Sequence, residues 1–97
     1  PGAQAIVGLA ERCADPLVRR RAIAALGSIR DWSEESRVAL HRRLLEDSDP
    51  EIRIEAIRGI LRSGLSAGYP AINRLARTDS SLTVRQVALE SAALHPD

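Results

Sequence analysis

Ninety-seven residues, 44% apolar and 28% charged, make one small domain the default, and a chain of this length buries roughly 60–70% of the surface its unfolded form exposes. Two aromatic residues, Trp32 and Tyr69, with no Phe and no Met, leave the core to Ala, Leu, Ile and Val. Fourteen Arg and no Lys against thirteen Asp plus Glu give a net charge of +1, which argues against a general polyanion binder and leaves room for a local patch; one cysteine excludes an internal disulfide framework and any multi-cysteine metal site.

In chain order, the first predicted helix covers 3–13 and carries Ile6. Asp15 then accepts from first-turn backbone N–H groups and Pro16 takes the first helical position, where a missing donor costs nothing, so the second helix is predicted at 16–29. Its apolar stripe is Val18, Ala22, Leu26 and Ile29, widened by Ile23. Ser33 followed by Glu34 and Glu35 reads as an N-cap with favourable negative charge, opening a helix over 33–46 that includes Leu40. Asp49-Pro50 repeats the second start for a helix over 50–63, with Ile52, Ala56 and Ile60 widened by Ile57. Gly64 and Gly68 mark its exit, Tyr69-Pro70 opens a helix over 70–78 with Ile72, and Ser81 caps a last helix over 82–94 with Val84, Ala88, Ala92 and Leu89.

These elements repeat. Val18, Ile52 and Val84 stand 34 and 32 residues apart, and Ile6, Leu40 and Ile72 each lie nine residues before Asp15, Asp49 and Ser81. Small residues recur at Ala22, Ala56 and Ala88 and at Ala25, Gly59 and Ser91, where neighbouring helices can approach closely. With no useful run of strand-like alternation, the chain is all-α, an αα-hairpin solenoid of six helices in three units of about 1–32, 33–66 and 67–97.

The repeated string D-P-x-[VI]-R-x-x-A-x-x-[AG]-[LI], present at Asp15–Leu26 and Asp49–Ile60 and in weaker form from Ser81, resembles a HEAT repeat of the short, phycobilisome-lyase-like kind over the whole chain. The resemblance implies a right-handed superhelix whose second helices line a concave face, and a role as a protein-interaction scaffold. Arg19, Arg53 and Arg85 sit four residues after Asp15, Asp49 and Ser81, so stacking brings each Arg near the neighbouring repeat's loop, where a carboxylate or carbonyl can take its donors. In such repeats this column, Asp15, Arg19, Asp49, Arg53 and Arg85, resembles an inter-repeat hydrogen-bond ladder; ligand binding is the other reading of the same residues.

Candidate reaction centres are scarce. His41 and His95 are far apart, and neither belongs to the His-Glu pairs that iron-binding enzymes of similar repeats use as ligands. His41 reads as a surface or packing residue whose Arg neighbours disfavour protonation, His95 as a favourable charge at a helix end, and Cys13 as a small buried apolar residue. The residues turned away from the apolar stripes are Arg20, Arg21 and Ala24, then Glu55, Arg58 and Arg62, then Gln86 and Glu90. They form either a solvated face or a partner-binding groove weighted towards Arg in the first two units. The expected function is a non-enzymatic scaffold or adaptor without cofactor, with Arg20, Arg21, Glu55, Arg58 and Arg62 meeting an acidic or phosphorylated protein. Binding of a nucleic-acid backbone is the alternative, disfavoured by near-zero charge and missing aromatics. A bilin-lyase-type enzyme is a remote third, suggested only by the resemblance.

The absence of a long apolar run or of a charged-then-apolar leader makes cytoplasmic residence the default expectation. Pro1 in place of Met points to a piece of a longer chain, and the apolar flanks at Ile6, Val7, Leu9, Val87, Leu89 and Leu94 point to continuation or self-association.

Overall fold

Four side chains set the helix starts. The Asp15 carboxylate accepts from the Leu17 N–H at 2.9 Å and Asp49 from the Glu51 N–H at 2.9 Å, while Ser33 Oγ accepts from the Ser36 N–H at 3.1 Å and Ser81 Oγ from the Val84 N–H at 3.3 Å. Each satisfies a backbone donor that has no partner within its helix, a contribution of about 1 kcal/mol. The computed structural model describes residues 2–29 and 32–94. Its helices are α1 (Gly2–Arg12), α2 (Pro16–Leu26), α3 (Glu34–Leu44), α4 (Pro50–Ser63), α5 (Tyr69–Thr78) and α6 (Leu82–Leu94), with a 3-10 turn at Ser66–Gly68 before α5.

Two helices stop earlier than their apolar pattern predicts. After Leu26 the N–H groups of Gly27, Ser28 and Ile29 bond three residues back, and after Leu44 those of Glu46 and Asp47 do the same. The last turn thus tightens into 3-10 geometry, which carries Ile29 and Asp47 off the helical track. α4 ends differently. Gly64 takes φ +64°, and its own N–H and that of Leu65 close on the Leu61 and Ile60 carbonyls, a left-handed cap that only glycine adopts without strain.

The three hairpins α1–α2, α3–α4 and α5–α6 stack in one direction, and contact between units runs chiefly through the second helices, α2 on α4 and α4 on α6. Ala22, Ile23 and Leu26 of α2, Ile52, Ala56, Ile57 and Ile60 of α4, and Val84 and Ala88 of α6 are buried, joined by Ala10, Leu40, Leu44, Ile72 and Leu75 from the first helices. At the turn from the first unit to the second, the Arg37 guanidinium carbon lies 5.9 Å from the centroid of the half-buried Trp32 ring and its Nη2 donates to the Ile29 carbonyl. The result is a thin slab, 36 × 26 × 15 Å along its principal axes.

One residue departs from its predicted place in the stripe. Leu89 stands in the register of Ile23 and Ile57, which are 1% and 0% exposed because α4 and α6 cover them; no described element follows α6, and Leu89 is 62% exposed. His95 and the segment Pro96-Asp97 lie outside the described residues.

Candidate functional site

The loops that lead into α4 and α6 carry a continuous chain of charge-assisted hydrogen bonds. Arg19 donates through Nε to the Ala10 carbonyl at 2.8 Å and grips Asp47 with both terminal nitrogens, Nη1 to Oδ2 at 3.1 Å and Nη2 to Oδ1. One unit on, Arg53 donates through Nη1 to the Asp47 carbonyl at 2.6 Å and holds Asp79 by Nε and Nη2 at 2.8 and 2.9 Å. Arg85 then donates through Nη1 to the Asp79 carbonyl at 2.7 Å. Arg53 and Arg85 therefore each tie the carbonyl of their own hairpin's connecting segment and Arg19 that of Ala10 in the last turn of α1, while Arg19 and Arg53 also hold the carboxylate of the next unit. The planar guanidinium suits this paired geometry as an ammonium would not.

The acids of the ladder are Asp47 and Asp79, which corrects the assignment of Asp15 and Asp49. Those two point to the first-turn N–H groups of α2 and α4 as caps, two residues away from the ladder position. Asp47 and Asp79 in turn accept the backbone N–H of Asp49 and of Ser81, each at 2.9 Å, which fixes their rotamers for the incoming Arg. Burial alone would push both carboxyls up, but the hydrogen bonds from Arg and backbone, with the charges of Arg19 and Arg53 at Asp47 and of Arg53 and Arg85 at Asp79, hold both below the ordinary value of 3.8. The hydrogen bond to Asp47 raises the Arg19 pKa in the complementary direction.

Across the stack, the solvent side of the second helices carries the expected partner-facing residues, in unequal states. Arg21, Arg58 and Arg62 are exposed and Glu55 is half-buried. Arg58 sits 3.5 Å from Glu55 on its own helix, and Arg21 and Arg62 make no ion pair or hydrogen bond among the described residues. Arg20 lies instead between α2 and α4. Its Nη1 is 3.5 Å from Glu51, and its Nε is buried without a partner. Gln86 occupies the same register on α6 and so belongs to that helix's outer flank, leaving Glu90 in line with Arg58. An open hollow lined by Glu34, Glu35, Val38, Ala39, Arg42 and Ala67 lies on the other side, along α3.

The family model for HEAT repeats matches residues 3–93. The chain belongs to the HEAT-repeat family. The match is to HEAT repeats as a class, and no curated protein and no solved structure matches the chain significantly. Within this HEAT array the Arg column is legible from the motif, whereas its acids lie two residues upstream of the string that begins at Asp15 and Asp49. Extending it two residues upstream aligns Cys13, Asp47 and Asp79 at the same 34 and 32 spacing, and that alignment is the signal for the acceptors. Cys13, half-buried, thus stands in the first repeat where the second and third have the ladder carboxylate.

Beyond the ladder, the buried polar side chains of the HEAT array include Ser91, whose Oγ donates to the Val87 carbonyl, and His41. His41 is 3% exposed, donates from Nδ1 to the Arg37 carbonyl at 2.8 Å, and lays its ring against Gly59 of α4, where a Cβ would stand 2.6 Å from Nε2. Gly59 is therefore glycine because the imidazole occupies the space a side chain needs. Burial lowers the pKa of His41 below 6.5, opposed by its hydrogen bond to the Arg37 carbonyl and reinforced by the charges of Arg62 and Arg37. Among the described residues no group of three or more His, Cys, Asp or Glu side chains is arranged to hold a metal ion, and no helix is long and apolar enough to cross a membrane.

Proposed function

We propose that this HEAT array is a non-enzymatic protein-interaction scaffold whose second helices present a binding face to an acidic or phosphorylated protein segment. The observation that carries the reading is the state of the arginines. Arg19 and Arg53 are consumed by the ladder, whereas among the described residues Arg21 and Arg62 lie on the solvent side of α2 and α4 without ion pairs or hydrogen bonds, and Arg58 has an exposed contact with Glu55. A carboxylate or phosphate meets there donors that are already displayed on rigid helices.

A phosphate backbone suits the same face less well, since Glu51, Glu55 and Glu90 are interleaved with the arginines and no aromatic side chain stands among them. The test is a set of acidic and phosphoserine peptides offered to the wild-type chain and to Arg21→Glu/Arg58→Glu/Arg62→Glu. Binding by the first and not the second, with helical circular dichroism retained in both, is the expected result. Equal capture by both removes the face from the assignment. Duplex DNA offered in parallel, bound tightly at low salt and released steeply on the way to physiological salt, would transfer it to nucleic acid.

A further inference from the structure

The outer side of α3 carries a stripe that no described element covers. Glu35, Val38, Ala39 and Arg42 fall on one side at helical spacing, away from the buried Leu40, His41 and Leu44. Val38 is half-buried and the other three are exposed. The open hollow beside the stripe, of about 240 Å³, is bounded also by Glu34 and by Ala67 of the 3-10 turn. The side chains of Glu34, Glu35 and Arg42 make no ion pair or hydrogen bond among the described residues. Hairpins stand on both sides of this one in the stack, so the stripe is open in a unit that has its neighbours. Nor does it belong to the repeat motif, since the first and third units carry Pro1 and Ala67 in the register of Glu35.

The charges of this stripe are self-complementary. Glu35 and Arg42 stand equally far on either side of the midpoint between Val38 and Ala39, so a twofold axis at that level brings Glu35 of each copy opposite Arg42 of the other. We propose that the chain forms a twofold dimer in which α3 packs antiparallel on α3 of a second copy, with Arg42 of each seated in the other's hollow beside Glu34 and Glu35. Val38 and Ala39 meet their own counterparts near the axis, where their small size lets the helices approach closely. The antiparallel arrangement also sets the N-terminus of each helix, with its two acids, beside the C-terminus of the other, the favourable alignment of helix dipoles. A helix from another protein would need the same order of acid, small apolar residue and base, which a second copy supplies by symmetry. α3 is 11 residues and about 16 Å long, so the contact falls below a standard interface and the dimer is weak. The surface lies on the other side from Arg21, Arg58 and Arg62, and the proposal stands apart from the role given to that face.

The test is sedimentation of the wild type, up to millimolar concentration, beside two charge-reversed chains, Arg42→Glu and Glu35→Arg, the second keeping Glu34 in the first turn. The wild type is expected to pass from monomer to dimer as its concentration rises. Each variant alone sets like charges across the axis, and its dimerisation is expected to weaken by about ten-fold or more. Mixed in equal amounts, the two variants pair acid with base at both contacts, and a heterodimer at least as tight as the wild-type dimer is expected. A strictly monomeric wild type overturns the proposal, as does a dimer indifferent to both reversals or one that mixing does not restore. A monomer that instead captures the acidic or phosphoserine peptides through Arg42 also overturns it, because the occupant is then another protein. Should a reversed chain fail to fold, cross-linking decides. In a Cys13→Ser background, Ala39→Cys is expected to form an intermolecular disulfide under mild oxidation several times faster than Ala24→Cys, an exposed position on the second-helix face. Equal rates reject the site.

Discussion

Arg53 and Arg85 are the same residue in the same register, yet the structure gives them different weights. The Arg53 guanidinium and its Asp79 partner are 10% and 4% exposed at the side chain, so truncating Arg53 strands a buried carboxylate. Arg53→Ala is expected to cost about 3–5 kcal/mol, which in a domain of this size lowers the Tm by more than about 10 °C; a thermal melt within a degree or two of wild type would contradict the ladder. His41 gives the second residue-scale expectation. Its folded pKa lies below 6.5, so the unfolded chain binds the proton first as pH falls, and the stability contributed by the neutral ring is complete above about pH 6.5 and lost below it. Asp47 and Asp79, also depressed, add a separate loss only as pH drops under their ordinary 3.8. Urea midpoints should therefore fall between pH 7.5 and 5.5 in the wild type, and His41→Gln, though less stable throughout, should lose that slope. An unaltered slope in the variant would mean another group carries it.

At the scale of the helix, burial depends on what stands next in the stack more than on the helix's own pattern. Ile57 and Leu89 belong to the same stripe of the same motif, and a sequence reading treats them alike. Ile57→Ala removes a side chain with 0% exposure and is expected to cost about 2–5 kcal/mol, whereas Leu89→Ala should stay within about 0.5 kcal/mol; paired chemical denaturation curves decide it, and similar losses would show that α6 is covered in solution. The same dependence marks how far the sequence could be read. Helix starts were legible because Asp15, Asp49, Ser33 and Ser81 act on their own first turns. The ends of α2 and α3 were not, since their final turns tighten to 3-10 geometry while the apolar spacing runs on through Ile29. The His41–Gly59 contact was visible only as a small residue in a column, with no sign of what would fill the space. Arg20 read as surface because its partner, Glu51, comes from the following hairpin.

For the molecule as a whole, stability is a sum of hairpins and the interfaces between neighbours. Weakening one interface should therefore loosen one end. In Asp79→Asn, amide exchange in α5–α6 is expected to accelerate well beyond that in α1–α4, read by native-state hydrogen exchange; uniform acceleration would indicate a single cooperative unit. The three-unit solenoid was legible because its period is written in local motifs, whereas the working state of each arginine required the neighbour's coordinates. The ladder also has a mechanical meaning. Its bonds all lie along one margin of the slab, beside the turns leading into α2, α4 and α6. The molecule is bound like a book along its spine, each successive leaf pinned to the one before it by an arginine at that edge.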